Sequence, residues 1–356
     1  MLSKLSKYPL SIIKASFPSS ALSLRKNFSE GYYRTDNAND LRVDPFYPPG
    51  WITNKVPLKY QPYLRLLRCD QIFSQGLLIT PVLWGIALSS PLGGLPNLLY
   101  TALTFLGVMF VQPCSCSIDD IVDAPVDAKV ERSKRRPLAC GAISKKSAYT
   151  LNALTLMGVG GVMACMSPLS IKFCMACAPM VFLYPYMKRT IQYPQYFLSI
   201  AVNLGSLIGL SAFTNSIALP VAVPLFLGGL CWTIYYDSLY AFQDIKEDTA
   251  AGIYSSAQKF AKNNTKLIFS CLAGSALSLH TLAGIMAGCH PIFLAGMLGG
   301  ASFLGWQIRA FDASKPALID GLMLKVYLYG VIAWVSFMVG VYFAKAKDKK
   351  KDIKAQ

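Results

Sequence analysis

Residues 116–144 read CSIDDIVDAPVDAKVERSKRRPLACGAIS, four aspartates followed by a basic run, set between two long apolar segments. A second polar stretch, residues 237–256 (DSLYAFQDIKEDTAAGIYSS), repeats the theme between apolar segments more than a hundred residues later. Together they hold Asp119, Asp120, Asp123, Asp127, Glu131, Asp237, Asp244, Glu247 and Asp248, half of the 18 acidic residues of the chain. A solvated loop accounts for charge, but not for this concentration of acids at two places with helical spacing.

Hydrophobic residues make up 54% and charged residues 15% of the 356 positions, a balance foreign to a soluble domain of this size. The sequence therefore reads as an all-α polytopic membrane protein. Apolar runs long enough to cross roughly 30 Å of hydrocarbon predict nine transmembrane helices. They fall near 71–90, 97–115, 148–166, 168–184, 195–213, 219–237, 265–288, 291–308 and 323–344.

The net charge of +16 raises the question of nucleic acid, but Lys and Arg are spread over loops and termini and form no aromatic-rich basic face. Phosphate groups and lipid headgroups suit them better. Most of the ten cysteines lie inside apolar spans, where Cys behaves as a small hydrophobe, and two histidines are too few for a zinc site.

Residues 1–29 carry Lys4, Lys7, Lys14, Arg25 and Lys26, are rich in serine and hold no acid before Glu30. That is the composition of a mitochondrial transit peptide, with a processing site expected near Arg25–Ser29. A signal peptide fits worse, because Lys14 interrupts its apolar core. Residues 30–62 read as a lead-in at the membrane surface, residues 63–344 as the membrane domain and residues 345–356 as a solvated basic tail. With nine spans, the loops carrying Lys129–Lys146, Lys188–Arg189 and Lys246–Lys262 share one side, so the positive-inside rule puts both acidic stretches on the matrix face of the inner membrane. The basic tail then falls on the other side, against the rule.

Asp120, Asp123 and Asp127 are three and four apart and Asp119 is four before Asp123, so a helix would line up their carboxylates. Pro125 disfavours helical geometry at Ala124, which predicts that the helix ends or kinks there, with Asp127 beyond the break. Asp237, Asp244 and Asp248, seven and four apart, share a face without interruption. Clustered carboxylates repel one another unless cations sit among them. Magnesium, a hard ion held by a few carboxylates together with substrate phosphates, is the expected cofactor, clamping a diphosphate between the clusters. The run Lys129–Arg136 and the Lys188–Arg189 pair supply cations for its remaining oxygens.

At these residues the chain resembles the UbiA superfamily of membrane prenyltransferases. Its first motif, Asn-Asp-x-x-Asp-x-x-x-Asp with a following Arg-Thr-Lys-x-Arg-Pro, is similar to Asp119–Asp127 and Arg132–Pro137. Its second, Tyr-Ala-x-Gln-Asp-x-x-x-Asp, is similar to Tyr240–Asp248. Between them Tyr184–Gln195 (YPYMKRTIQYPQ), with Asn203 and Gly205, resembles the pattern of 4-hydroxybenzoate polyprenyltransferases within that superfamily. The resemblance implies a UbiA-like bundle of nine helices around a central cavity, capped on the matrix side and open sideways to lipid. It implies transfer of a polyprenyl group from polyprenyl diphosphate to C3 of 4-hydroxybenzoate in ubiquinone synthesis, alongside other proteins of that synthesis. By carry-over, Asp120, Asp123, Asp244 and Asp248 are the catalytic metal-site residues, supported by Asp119, Asp127 and Asp237. Arg132, Lys134, Arg136, Lys188 and Arg189, with Tyr184, Asn203, Tyr240 and Gln243, would bind substrate, and Arg68 would meet the benzoate carboxylate.

Three departures stand out: Asp119 replaces the family asparagine, Phe242 its histidine, and Gln71–Ser74 its Lys-Pro-x-Gly. The first bears on metal occupancy and the last on the aromatic-acid pocket. A protohaem farnesyltransferase is the nearest alternative, and the Tyr184–Gln195 run argues against it. A transporter would place charges near midspan rather than at helix ends. An inactive interaction protein would have lost the acidic pairs.

Overall fold

The element that orders the bundle is a 30-residue helix, Leu98–Asp127 (α3), which carries the whole first acidic motif on its last turns. Its start is fixed by Asn97, whose side chain accepts from the amides of Leu99 and Tyr100 at 3.0 and 3.2 Å. The computed structural model describes residues 52, 55–69, 72–129 and 133–344. The expected transit peptide, most of the lead-in, the basic tail and Arg132 lie outside the described residues.

A short helix, Gln61–Leu66 (α1), precedes Ile72–Ser89 (α2) and α3. Then follow Lys145–Met163 (α4), Pro168–Thr190 (α5), Pro194–Thr214 (α6) and Leu219–Ala241 (α7). Two short helices, Ile245–Ala251 (α8) and Ser256–Phe260 (α9), lead to Thr265–Met286 (α10), Phe293–Ala310 (α11) and Pro316–Phe343 (α12). The described residues contain no strand. Among them, α3, α5, α6, α7, α10 and the Leu318–Phe343 part of α12 are long and apolar enough to cross a membrane. Each expected apolar span coincides with a helix of at least 18 residues.

One expectation is overturned. The helix does not break before Pro125 but runs through it to Asp127. Proline lacks one N–H and clashes one turn back, yet here it stands in the final turn, and the Ala128 amide still reaches the Ala124 carbonyl at 3.2 Å. Asp127 therefore belongs to the same helix as Asp120.

Two of the helices pack backbone to backbone. A Cβ on Gly85 of α2 would collide with the Ser206 carbonyl, and one on Gly209 of α6 with the Val82 carbonyl. Small residues permit such an approach, and in lipid close packing replaces the hydrophobic drive between helices. Between α6 and α7, Asn203 donates to Thr233 Oγ1 and to the Ser199 carbonyl, both at 2.8 Å, and is fully buried. At the centre, Trp84, Trp232, His280 and Tyr329 pack ring to ring, with Trp84 donating to the Gly330 carbonyl at 2.8 Å. By contrast α5 buries only Ser170 and Pro185 and turns Met175, Phe182 and Leu183 outward, as a lipid-facing helix does.

Candidate active site

At 100° per residue the four aspartates fan over about 100° of the last turns of α3, in the order Asp119, Asp123, Asp127, Asp120. The two ends of the fan hold different cations. Arg136, from the turn after α3, donates to Asp120 Oδ1 at 3.1 Å and Asp127 Oδ2 at 3.0 Å. Lys188, in the last turn of α5, lies 3.3 Å from Asp119 Oδ2 and 3.8 Å from Asp123 Oδ2, with its ammonium 4.5 Å above the Tyr184 ring. Arg189 donates to Asp123 Oδ1 at 2.6 Å. Placing Lys188 and Arg189 at the end of α5 also suits the negative end of its dipole.

Burial by itself would lower the Arg136 pKa, but Asp120 and Asp127 outweigh it and hold the guanidinium above its ordinary value. It stays charged at every physiological pH.

Arg68 departs from its expected role. It follows α1 in the left-handed region, with φ 53°, and this turns its guanidinium onto Asp120 Oδ1 at 2.8 Å. Its Nη1 donates to the Arg65 carbonyl at 3.2 Å, and the residue is buried. Arg68 thus pairs with Asp120 as a buried counter-ion, off the lining of the cavity.

In front of the cluster is a cavity of about 210 Å³. Asp123 and Asp127 line one wall with Arg136, Lys188 and Tyr184, and Asp237, Tyr240, Asp244, Glu247 and Asp248 line the other. The two acidic motifs, far apart in sequence, face each other here. Asp119 and Asp120 do not line it, the former holding Lys188 and the latter buried between two arginines. Lys134, Gln243 and Asn203 are also off the lining, and Asn203 proves to be a brace between helices. Phe242, the departure from the family histidine, packs against Phe269 and Phe311 with ring centres 5.9 and 5.1 Å away. That position belongs to an aromatic knot where α7, α10 and α11 end or begin.

Sequence reasoning passed over Gln195 and Tyr254, which also line the cavity. Gln195 Oε1 accepts from the Ser256 amide at 2.8 Å, so it fixes the start of α9. The Tyr254 amide donates to the Lys188 carbonyl at 2.8 Å, tying the loop after α8 to the end of α5. The proline and glutamine of the Tyr184–Gln195 run were the available signal.

Among the described residues no three acidic, histidine or cysteine side chains converge closely enough to hold a metal unaided. The donor set nevertheless fits a hard divalent ion whose shell is completed by a ligand's phosphate oxygens. Asp123, Asp127, Asp237, Asp244, Glu247 and Asp248 supply carboxylate oxygens to the one cavity.

Apolar helices surround a pocket where carboxylates of both acidic motifs meet cations, a donor set that suits a divalent ion together with a phosphate ester. Residues 78–329 match the UbiA prenyltransferase family, and the chain belongs to it. It is 36% identical over 268 residues to the mitochondrial 4-hydroxybenzoate polyprenyltransferase of Dictyostelium discoideum, a match covering 75% of this chain and 58% of that protein. To its Arabidopsis thaliana namesake it is 32% identical, over 82% of this chain and 72% of the relative. A human protein of the same name is 31% identical, over 85% and 80%. Among solved structures, an apo UbiA homolog from Aeropyrum pernix K1 superposes with TM-score 0.62 at 18% identity, over 74% of this chain and 98% of that one. A UbiA homolog from Archaeoglobus fulgidus bound to GPP and Mg2+ does so with TM-score 0.58 at 17%, over 78% and 99%. At such identities these two speak for the fold alone.

Proposed function

We propose that this chain transfers a polyprenyl group from polyprenyl diphosphate to C3 of 4-hydroxybenzoate, a membrane step of ubiquinone synthesis in the mitochondrial inner membrane. The observation that carries the reading is the cavity in which Asp123 and Asp127 face Asp244 and Asp248 across a gap flanked by Arg136 and Lys188. The relatives' shared name supports the acceptor and the compartment. All nine long helices cross the bilayer in this reading, with the cavity toward the matrix.

Asp123, Asp127, Asp244 and Asp248 would hold magnesium, which supplies charge neutralisation to the departing diphosphate. Arg136, Lys188 and Arg189 exchange their aspartate partners for diphosphate oxygens, so the cations move from carboxylate to phosphate rather than entering from solvent. Arg68 stays behind to hold Asp120. The allylic C–O bond breaks, the diphosphate leaves with its electron pair, and the apolar helices around the site keep water from the carbocation. The phenol ring then forms the new C–C bond at C3 and loses its C3 proton. Asp119 keeps Lys188 oriented, and Asp237 lines the cavity on the other wall.

The test is mass spectrometry of products from purified protein, magnesium and several prenyl diphosphates, with 4-hydroxybenzoate or protohaem as acceptor. A 3-polyprenyl-4-hydroxybenzoate product is expected. Prenylation of haem alone, or no product with any pair, overturns the reading.

A further inference from the structure

A second cavity, a groove of about 520 Å³, lies away from the acidic site, where α10 begins and α11 ends. Lys266, Arg309 and Lys315 line it, with Asp312 as its one carboxylate. That carboxylate is already served. Asp312 accepts from Ser314 Oγ at 2.7 Å and lies 2.9 Å from Lys315 Nζ, and these partners, the Ser314 hydrogen bond foremost, hold it well below the usual carboxylate range. Lys266 Nζ donates to the Arg309 carbonyl at 3.1 Å, which ties one cation to the end of α11 and leaves its other protons turned to the groove or to solvent. The basic surplus is therefore local and stands at the positive end of α10, a 22-residue helix.

The depth of the groove is marked independently. Trp306, one turn before Arg309, is 46% exposed and carries Lys325 Nζ 5.2 Å above its ring. Lys325 starts about 13 Å into α12 by helical rise, so its ammonium leans along the surface from within an apolar helix. Trp paired with a leaning Lys is the signature of the headgroup level of a bilayer. Leu267, beside Lys266, is 59% exposed and offers apolar surface next to the cations. A soluble anion would use the cations alone, whereas a phospholipid uses both.

We propose that the groove formed by Lys266, Arg309 and Lys315 binds the phosphate headgroup of an anionic membrane lipid, with its acyl chains along Leu267 and Trp306. The aromatic knot of Phe242, Phe269 and Phe311 connects this groove to the end of α7, since Phe311 lines the groove and Phe242 follows α7 directly. A bound lipid would brace the same end of the bundle that carries the second acidic motif.

The test uses the full chain in nanodiscs of phosphatidylcholine with graded phosphatidylglycerol, scored by native mass spectrometry of retained lipid and by thermal unfolding. Wild type should retain phosphatidylglycerol in preference to phosphatidylcholine and unfold at higher temperature as it is added. Arg309→Gln with Lys315→Gln should weaken that retention roughly tenfold or more, since each basic residue near a membrane surface contributes measurably to anionic lipid binding. Unfolding in pure phosphatidylcholine should be unchanged. Lys145→Gln with Lys146→Gln, the same charge removed elsewhere, should retain lipid like wild type. Each single variant should show a smaller loss in the same direction, which keeps the test open if the double variant does not fold. Unchanged retention in the groove variants, equal loss in the control, or displacement of the lipid by millimolar inorganic phosphate would overturn the proposal.

Discussion

Replacing Asp119 and Asp120 in turn by asparagine separates two adjacent carboxylates that the structure uses differently. Asp119 and Lys188 are 3.3 Å apart with side chains 27% and 22% exposed, and Lys188 keeps Asp123 at 3.8 Å. Partly solvated pairs of this kind contribute about 1 kcal/mol, and an asparagine oxygen still accepts a hydrogen bond. Asp119→Asn should therefore cost about fivefold in rate, and it restores the residue type of the family motif. Asp120 is another matter. Its side chain is 1% exposed and binds Arg68 at 2.8 Å and Arg136 at 3.1 Å. Neutralising it removes the buried carboxylate that Arg68 and Arg136 share, a loss on the order of 3–5 kcal/mol when one partner of a buried pair is removed. Asp120→Asn should cost on the order of a hundredfold or more in rate and lower the unfolding temperature, whereas Asp119→Asn leaves that temperature nearly unchanged. The assay is initial rate at several magnesium concentrations together with thermal unfolding in detergent. Equal losses for the two variants, or a larger one at Asp119, would refute the assignment of Asp120 as the buried anchor.

Excess chelator should abolish prenyl transfer and magnesium or manganese should restore it, because carboxylates on both walls can approach a diphosphate only through a bridging cation; full activity in chelator would sink the metal clamp. Gly229→Ala should lower stability by about 1–3 kcal/mol, since a Cβ there collides with Asn203 Oδ1, and calorimetry showing no change would refute the α6–α7 brace. Phe242→His, although it restores the family residue, should destabilise the protein without raising activity, because it sets a polar ring among Phe269 and Phe311; a gain in kcat would show that the position reaches the cavity. Protein sequencing of the mature chain from mitochondria should find its N terminus near residue 29, and an intact Met1 there would count against the transit peptide.

The helices were legible because a membrane imposes a length on every apolar run, and six of the described helices are long and apolar enough to cross one. The acidic motifs were legible as chemistry because charge at the end of such a run needs a reason. What stayed hidden was direction. Spacing put Asp119, Asp120, Asp123 and Asp127 on one side of the helix, but could not say that Arg136 takes one edge of that side and Lys188 the other. Arg68 looked free for a substrate because nothing in PYLRLLRCDQ announces a left-handed residue at its end. Pro125 suggested a break because the rule for proline is local, while one turn from a helix end the lost hydrogen bond is cheap. Asn203 looked like a ligand group because motif residues shared by a family include those that hold helices together. Family likeness marks a position without saying which way it faces.

The helix α8 buries none of its seven residues, although Asp244 caps it and Asp248 lies within it. Asp237, by contrast, stands on α7, whose neighbours Tyr236 and Ser238 are buried. The second acidic wall is thus half frame and half appendage. Ordering an exposed segment costs about 1–2 kcal/mol per residue in backbone entropy, and α8 has little packing to offset it. A ligand bridging both walls must supply that difference. Under the proposed function magnesium and diphosphate would then bind cooperatively, each favouring the other through the ordering of α8 as well as through the metal–phosphate contact.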